Sequence, residues 1–117
     1  MNEIYPDLIL ELPEADLPID KVVGRLFQGE KGQICFFDFE PPNEVPPHSH
    51  GRQWGVVLEG EMWLTIDGAE KLMHKGDSYF IPSGVVHSAR FEVACKVLDL
   101  FEDSNRYRVK RVQVPDA

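Results

Sequence analysis

Residues 61–75 read EMWLTIDGAEKLMHK. Met62, Leu64 and Ile66 alternate along the first half, the period-two pattern of a strand with one buried face. Asp67-Gly68 then supplies two residues that tolerate positive φ, as a tight type I′ turn requires, so the stretch predicts a β-hairpin of well-specified register. The same punctuation continues outward in both directions. Nine Gly and nine Pro divide the chain into short apolar runs, and such runs bounded by turn residues read as strands, not helices. Further strands are expected at Val22 to Phe27, Gln33 to Phe39, Trp54 to Leu58, Tyr79 to Ile81, Ser88 to Val93, Lys96 to Phe101 and Tyr107 to Val114. So many short strands imply an all-β barrel or sandwich.

A chain of 117 residues has the size of one domain. It divides into an acidic N-terminal arm (1–20), a barrel (21–104) and a C-terminal strand or tail (105–117). Twelve Lys and Arg against twenty Asp and Glu give a net charge of -8, which repels phosphate backbones and anionic headgroups. Nucleic acid and membrane are therefore not expected as partners. No basic n-region precedes the first apolar run and no stretch is long enough to span a bilayer, so a cytoplasmic location is expected. Cys35 and Cys95 lie within apolar stretches without the spacing of a metal knuckle or a disulfide scaffold, and read as buried free thiols.

Upstream of the hairpin, residues 46–60 read PPHSHGRQWGVVLEG. His48 and His50 are two apart, so an extended backbone puts both on one face. Gln53 follows where the chain enters the next strand. Downstream, GDSYFIPSGVVH (76–87) places Pro82 and Gly84 in a turn that returns His87 to the sheet. Three imidazoles and one amide oxygen make a four-ligand set for one divalent transition metal, with positions left for water or substrate. Arg52 cannot stand in for Gln53, because a guanidinium has no lone pair to offer. His74, among Lys71, Met73 and Lys75, reads as a structural or surface residue.

These motifs resemble those of the cupins. In that family the first motif runs G-x5-H-x-H-x3 or 4-E-x6-G, matched here by His48, His50, Gln53 and Gly60. The second runs G-x5-P-x-G-x2-H-x3-N, matched by Gly76, Pro82, Gly84 and His87, and fifteen residues separate the two as in compact microbial members. The resemblance implies a double-stranded β-helix, or jelly-roll, barrel. Three departures stand out: only Gly51 and Arg52 separate His50 from Gln53, Gln replaces the usual Glu, and Phe91 replaces the final Asn. With the Glu gone, four neutral ligands leave the full charge on the ion, which favours Lewis-acid chemistry over oxygen activation. Iron, nickel, manganese, zinc and copper all suit imidazole ligands.

In KVLDLF, Asp99 shares a face with Cys95, Val97 and Phe101. Facing into the barrel it would be a general acid or base, its pKa raised by desolvation and lowered by a nearby cation; facing outward it would be an ordinary solvated acid. Arg106 follows, positioned to grip a substrate carboxylate or to be a surface charge. The order Asp99, Phe101, Arg106, with the His, His, Gln, His ligand set, is loosely similar to the small cupins of pectin and alginate breakdown that open unsaturated uronates to linear keto sugars. The resemblance implies a Lewis-acid isomerase or lyase acting on a small sugar acid or keto acid, the alternatives being a non-catalytic ligand-binding sensor or an oxygen-dependent dioxygenase.

One strand is apolar on both faces, with Val57 on one side and Trp54, Val56 and Leu58 on the other. Its outer face needs a second sheet, the N-terminal arm or another subunit, so a homodimer is expected. Six acids in residues 1–20 and the bases Arg106, Arg108, Lys110 and Arg111 near the other end could pair within or between subunits, or be solvated.

Overall fold

The computed structural model describes residues 3–111. After the short helix α1 (Asp7–Leu10) come nine strands: β1 (Val22–Gln28), β2 (Gln33–Phe39), β3 (Asn43–His48), β4 (Gln53–Glu59), β5 (Glu61–Ile66), β6 (Ala69–His74), β7 (Ser78–Ile81), β8 (His87–Phe91) and β9 (Cys95–Phe101). They form two antiparallel sheets, β1-β2-β9-β4-β7 and β3-β8-β5-β6, which close on a common apolar core as a jelly roll. No helix among the described residues is long and apolar enough to cross a membrane.

Alternation decides which side chains enter the core. In β2, Gln33, Cys35, Phe37 and Phe39 point in; in β9, Cys95, Val97, Asp99 and Phe101 do. The hairpin forms as the sequence implies, with Glu61 opposite His74 and Ile66 opposite Ala69, and φ of 50° at Asp67 and 80° at Gly68.

Two elements differ from expectation. NEVPPH forms β3, although its two prolines argue against a strand. It lies at the edge of the four-stranded sheet, where prolines break fewer ladder bonds. The described part of the expected strand Tyr107 to Val114 is not a strand: it holds a single bridge, Ala15 to Val109, and residues 112–114 lie outside the described residues. In place of a neighbouring strand, the buried Gln33 amide donates to the Tyr107 carbonyl at 2.8 Å and accepts from its N–H at 3.0 Å.

The arm and the C-terminal segment meet through their backbones. Asp16 N–H donates to Arg108 O at 2.8 Å and Lys110 N–H to Glu14 O at 2.7 Å. Among the described residues no acid of the arm forms an ion pair with the C-terminal bases; Glu3 instead faces Lys96 at 3.9 Å.

The arm covers part of the outer face of the five-stranded sheet. Tyr5 packs edge-on against Phe36, ring centroids 5.8 Å apart, and donates its hydroxyl to Phe37 O at 2.7 Å. The rest stays bare. The registers place Phe27, Ile34, Leu100, Trp54 and Phe80 in one row across all five strands, and Phe27, Leu100, Trp54 and Phe80 are 58, 45, 42 and 53% exposed.

Candidate metal centre

Pairing of β3 with β8 sets His48 opposite His87, their ring centroids 4.2 Å apart. His50 follows in the loop after β3. Its carbonyl accepts from Gly84 N–H at 2.8 Å, which ties that loop to the turn before His87. Its ring lies 5.2 Å from His48 and 4.8 Å from His87. One ring nitrogen from each histidine falls within 4.8 Å of the others.

The second nitrogen of each ring is occupied. Nδ1 sits 2.8 Å from Pro46 O in His48, 2.8 Å from Gly51 O in His50 and 2.9 Å from Val85 O in His87. A carbonyl only accepts, so each Nδ1 carries the hydrogen and each Nε2 keeps its lone pair. The Nε2 atoms of His50 and His87 are buried without a partner among the described residues, as a ligand atom is before its ion binds. Burial also lowers the pKa of all three, to about 4 for His87. Neutral imidazoles with converging free lone pairs could hold a divalent metal ion.

Gln53 opens β4 and is buried. Its Nε2 donates to Asp99 Oδ1 at 2.9 Å. An ionised carboxylate can only accept, so Asp99 dictates which way the amide turns, and Gln53 Oε1 is left buried without a partner among the described residues. The short loop before it is stitched to the segment after β9. Gly51 N–H donates to Asp103 Oδ2 at 2.8 Å and Arg52 pairs with Glu102 at 2.7 Å.

Asp99 faces the interior, which removes the solvated alternative. The Tyr79 hydroxyl donates to Oδ1 at 2.6 Å; with Gln53, both bonds fall on that one oxygen, and Oδ2 has no partner among the described residues. Burial pushes the Asp99 pKa up to about 6 against the pull of these two donors. Gly55 makes the arrangement possible: it lies opposite Asp99 on one side and Tyr79 on the other, and a Cβ there would overlap both polar atoms.

Arg106 lines the same cavity but stands outside the histidine cluster. Its guanidinium lies 4.5 Å above the Tyr107 ring and 5.9 Å from that of Phe101, and its buried Nε has no partner. No carboxylate among the described residues pairs with it. His48, Gln53, His87, Asp99, Tyr79 and Arg106 share a cavity of about 270 Å³ whose remaining walls are nearly all apolar. His74 is exposed, 3.4 Å from Glu61, and Cys35 and Cys95 are buried free thiols. Sequence reasoning missed Tyr79 and Gln33. The glycine within the strand WGVV was the available signal for Tyr79, since such a glycine often marks a close approach.

The family model for the cupin domain matches residues 35–101, more than half of the chain. The chain belongs to the cupin family. No curated protein matches it. This cupin is similar in structure to an RmlC-like cupin from Shewanella frigidimarina, with 23% identity, a TM-score of 0.75 and coverage of 90% of this chain and 95% of that one. It is also similar to KdgF from Halomonas sp., with 21% identity, a TM-score of 0.67 and coverage of 74 and 83%. Salicylate 1,2-dioxygenase from Pseudoaminobacter salicylatoxidans, in adducts with gentisate, shares 16% identity at a TM-score of 0.69. There the cupin covers 80% of its own length and 30% of the enzyme's. At these identities the likeness is one of fold.

Proposed function

We propose that this cupin is a metal-dependent isomerase or lyase acting on a small sugar acid or keto acid, with the ion held by His48, His50, Gln53 and His87. Bound there, a divalent ion supplies Lewis-acid polarisation of a substrate carbonyl, undiminished by any anionic ligand. The single observation that carries the reading is Asp99, an acid-base group inside the barrel beyond the ligand set. Its unpartnered Oδ2 takes a proton from a substrate carbon next to the polarised carbonyl and returns it to a neighbouring atom, while Tyr79 and Gln53 hold Oδ1 in place. Arg106, without an acid of its own among the described residues, orients the substrate carboxylate. A binding module would need only the cavity, with no proton carrier beside the ligands.

Elemental analysis of protein purified without chelator tests the site, with near-stoichiometric metal expected in the wild type and almost none in His48→Ala and His87→Ala. Equal metal in all three would sink it. Saturable turnover on a panel of unsaturated uronates and keto acids then tests the reaction class. An absolute requirement for oxygen would point to a dioxygenase instead, and tight binding with no product on any compound to a sensor.

The reading includes a homodimer that uses the bare outer row. Phe27, Leu100, Trp54 and Phe80 form an apolar band of the kind that a second copy covers in symmetric fashion.

A further inference from the structure

The cavity has a polar head and an apolar body, and the sheet registers show where one gives way to the other. On the five-stranded sheet the row nearest the histidines is Gln33, Phe101, Gln53 and Ile81, followed by Cys35, Asp99, Gly55 and Tyr79. Phe37, Val97 and Val57 come next, and then Phe39 with Cys95. Every charged or ligating side chain that lines the cavity lies in or beside the first two rows. Beyond them the walls are hydrocarbon and aromatic: Phe39 stacks on Phe91 with centroids 3.9 Å apart, and Met62, Leu64, Val45 and Ile19 complete the lining.

The polar groups free to meet a ligand are few. Tyr79 and Gln53 donate to Asp99, and the histidines are committed to backbone carbonyls through Nδ1. Among the described residues Arg106, Asp99 Oδ2, Ser88 and Tyr107 remain. A ring bearing four or more hydroxyls would leave several facing hydrocarbon, and each unpaired hydroxyl lowers affinity about tenfold or more. A group with one anionic end and an apolar end meets no such penalty, and about 270 Å³ lies near the small end of ligand pockets.

Resting on the metal-site reading above, we infer that the substrate is a small 2-oxo acid with an aromatic or branched aliphatic body, not a polyhydroxylated sugar acid. Its carboxylate lies against Arg106 and its body against Phe39, Phe91 and Met62. The two halves of the cavity make separate demands: the unpaired guanidinium selects an anion, and the walls select what the anion carries.

Calorimetric titration of the metal-loaded protein with phenylpyruvate, 4-methyl-2-oxopentanoate and galacturonate tests the inference. Both 2-oxo acids should bind at least tenfold more tightly than galacturonate. Arg106→Gln should weaken them about tenfold or more with metal content unchanged, and Met62→Gln should narrow the gap to galacturonate. Galacturonate binding as tightly as the 2-oxo acids, an Arg106→Gln variant with unaltered affinity, or no binding by any of the three would overturn it. The underlying reading is judged apart from this. Tight 2-oxo acid binding without product keeps the inference and rejects the isomerase or lyase, whereas turnover of an unsaturated uronate with the 2-oxo acids excluded does the reverse.

Discussion

On the inner face of the five-stranded sheet one row reads Cys35, Asp99, Gly55 and Tyr79; on the outer face the adjacent row reads Phe27, Ile34, Leu100, Trp54 and Phe80. A sheet with one face in water ordinarily arranges these the other way round, apolar inward and polar outward. Both inversions oppose the stability of a lone chain, since a buried carboxylate loses hydration and an exposed aromatic row gains none. Away from His48 and His87, the other sheet shows the ordinary arrangement: Met62, Leu64 and Met73 point in, and outside it Arg90 lies 4.6 Å over the Trp63 ring and pairs with Glu70 and Glu92. The contrast teaches that both departures fall on one sheet, whose inner row faces the cavity and whose outer row lies bare.

Removing the charge from the inner row is expected to have the largest effect. Asp99→Asn keeps the shape, the metal and the fold, and should lower turnover about 10²- to 10⁴-fold, the usual worth of a positioned acid-base group. Retained metal with retained turnover would make Asp99 a merely structural acid. The outer row is broken by Trp54→Glu combined with Leu100→Glu. Light scattering should then find a particle of 13.4 kDa where the wild type gives twice that mass, with dissociation shifted about a hundredfold or more. A wild type that is already monomeric would remove the dimer.

Filling the inner row tests its packing. Gly55→Ala forces Asp99 and Tyr79 apart and should cost about 2 kcal/mol, as overpacking of a tight core does, seen as a fall in melting temperature of roughly 10 °C. Gly68→Ala, where a Cβ meets nothing but φ is 80°, shows for comparison what backbone strain costs without overpacking. The smallest effect sharpens the contrast at the ligand itself. Gln53→Glu should tighten metal binding about tenfold by adding a negative charge, while lowering Lewis-acid turnover. Identical metal titrations for wild type, Gln53→Glu and Gln53→Ala would remove Gln53 from the ligand set.

Much of this was legible from local chemistry. Period two placed Asp99 with Cys95, Val97 and Phe101, and Asp67-Gly68 announced the hairpin, because both signals act over a few residues. The choice of which β9 face turns inward was not legible, since Lys96, Leu98 and Leu100 make the other face nearly as apolar. It is decided by β2 and β4 on either side, whose paired residues lie 37 or more positions away in sequence. The segment after β9 misled for a related reason. Tyr107 has the composition of a strand residue, yet its partner is one side chain, Gln33, lying 74 residues before it. The histidine cluster was found through spacing, and the cavity's apolar walls were not, because they come from both sheets and the arm at once.

The prolines of β3 reach beyond the site they support. Pro46 lends its carbonyl to His48, and neither Pro46 nor Pro47 has an amide hydrogen to present along the open edge of the four-stranded sheet. A passing extended chain therefore finds no donor at the two positions before His48 and cannot continue the ladder there. The strand that carries His48 is thereby a poor template for edge-to-edge pairing and for the fibrillar assembly such pairing seeds.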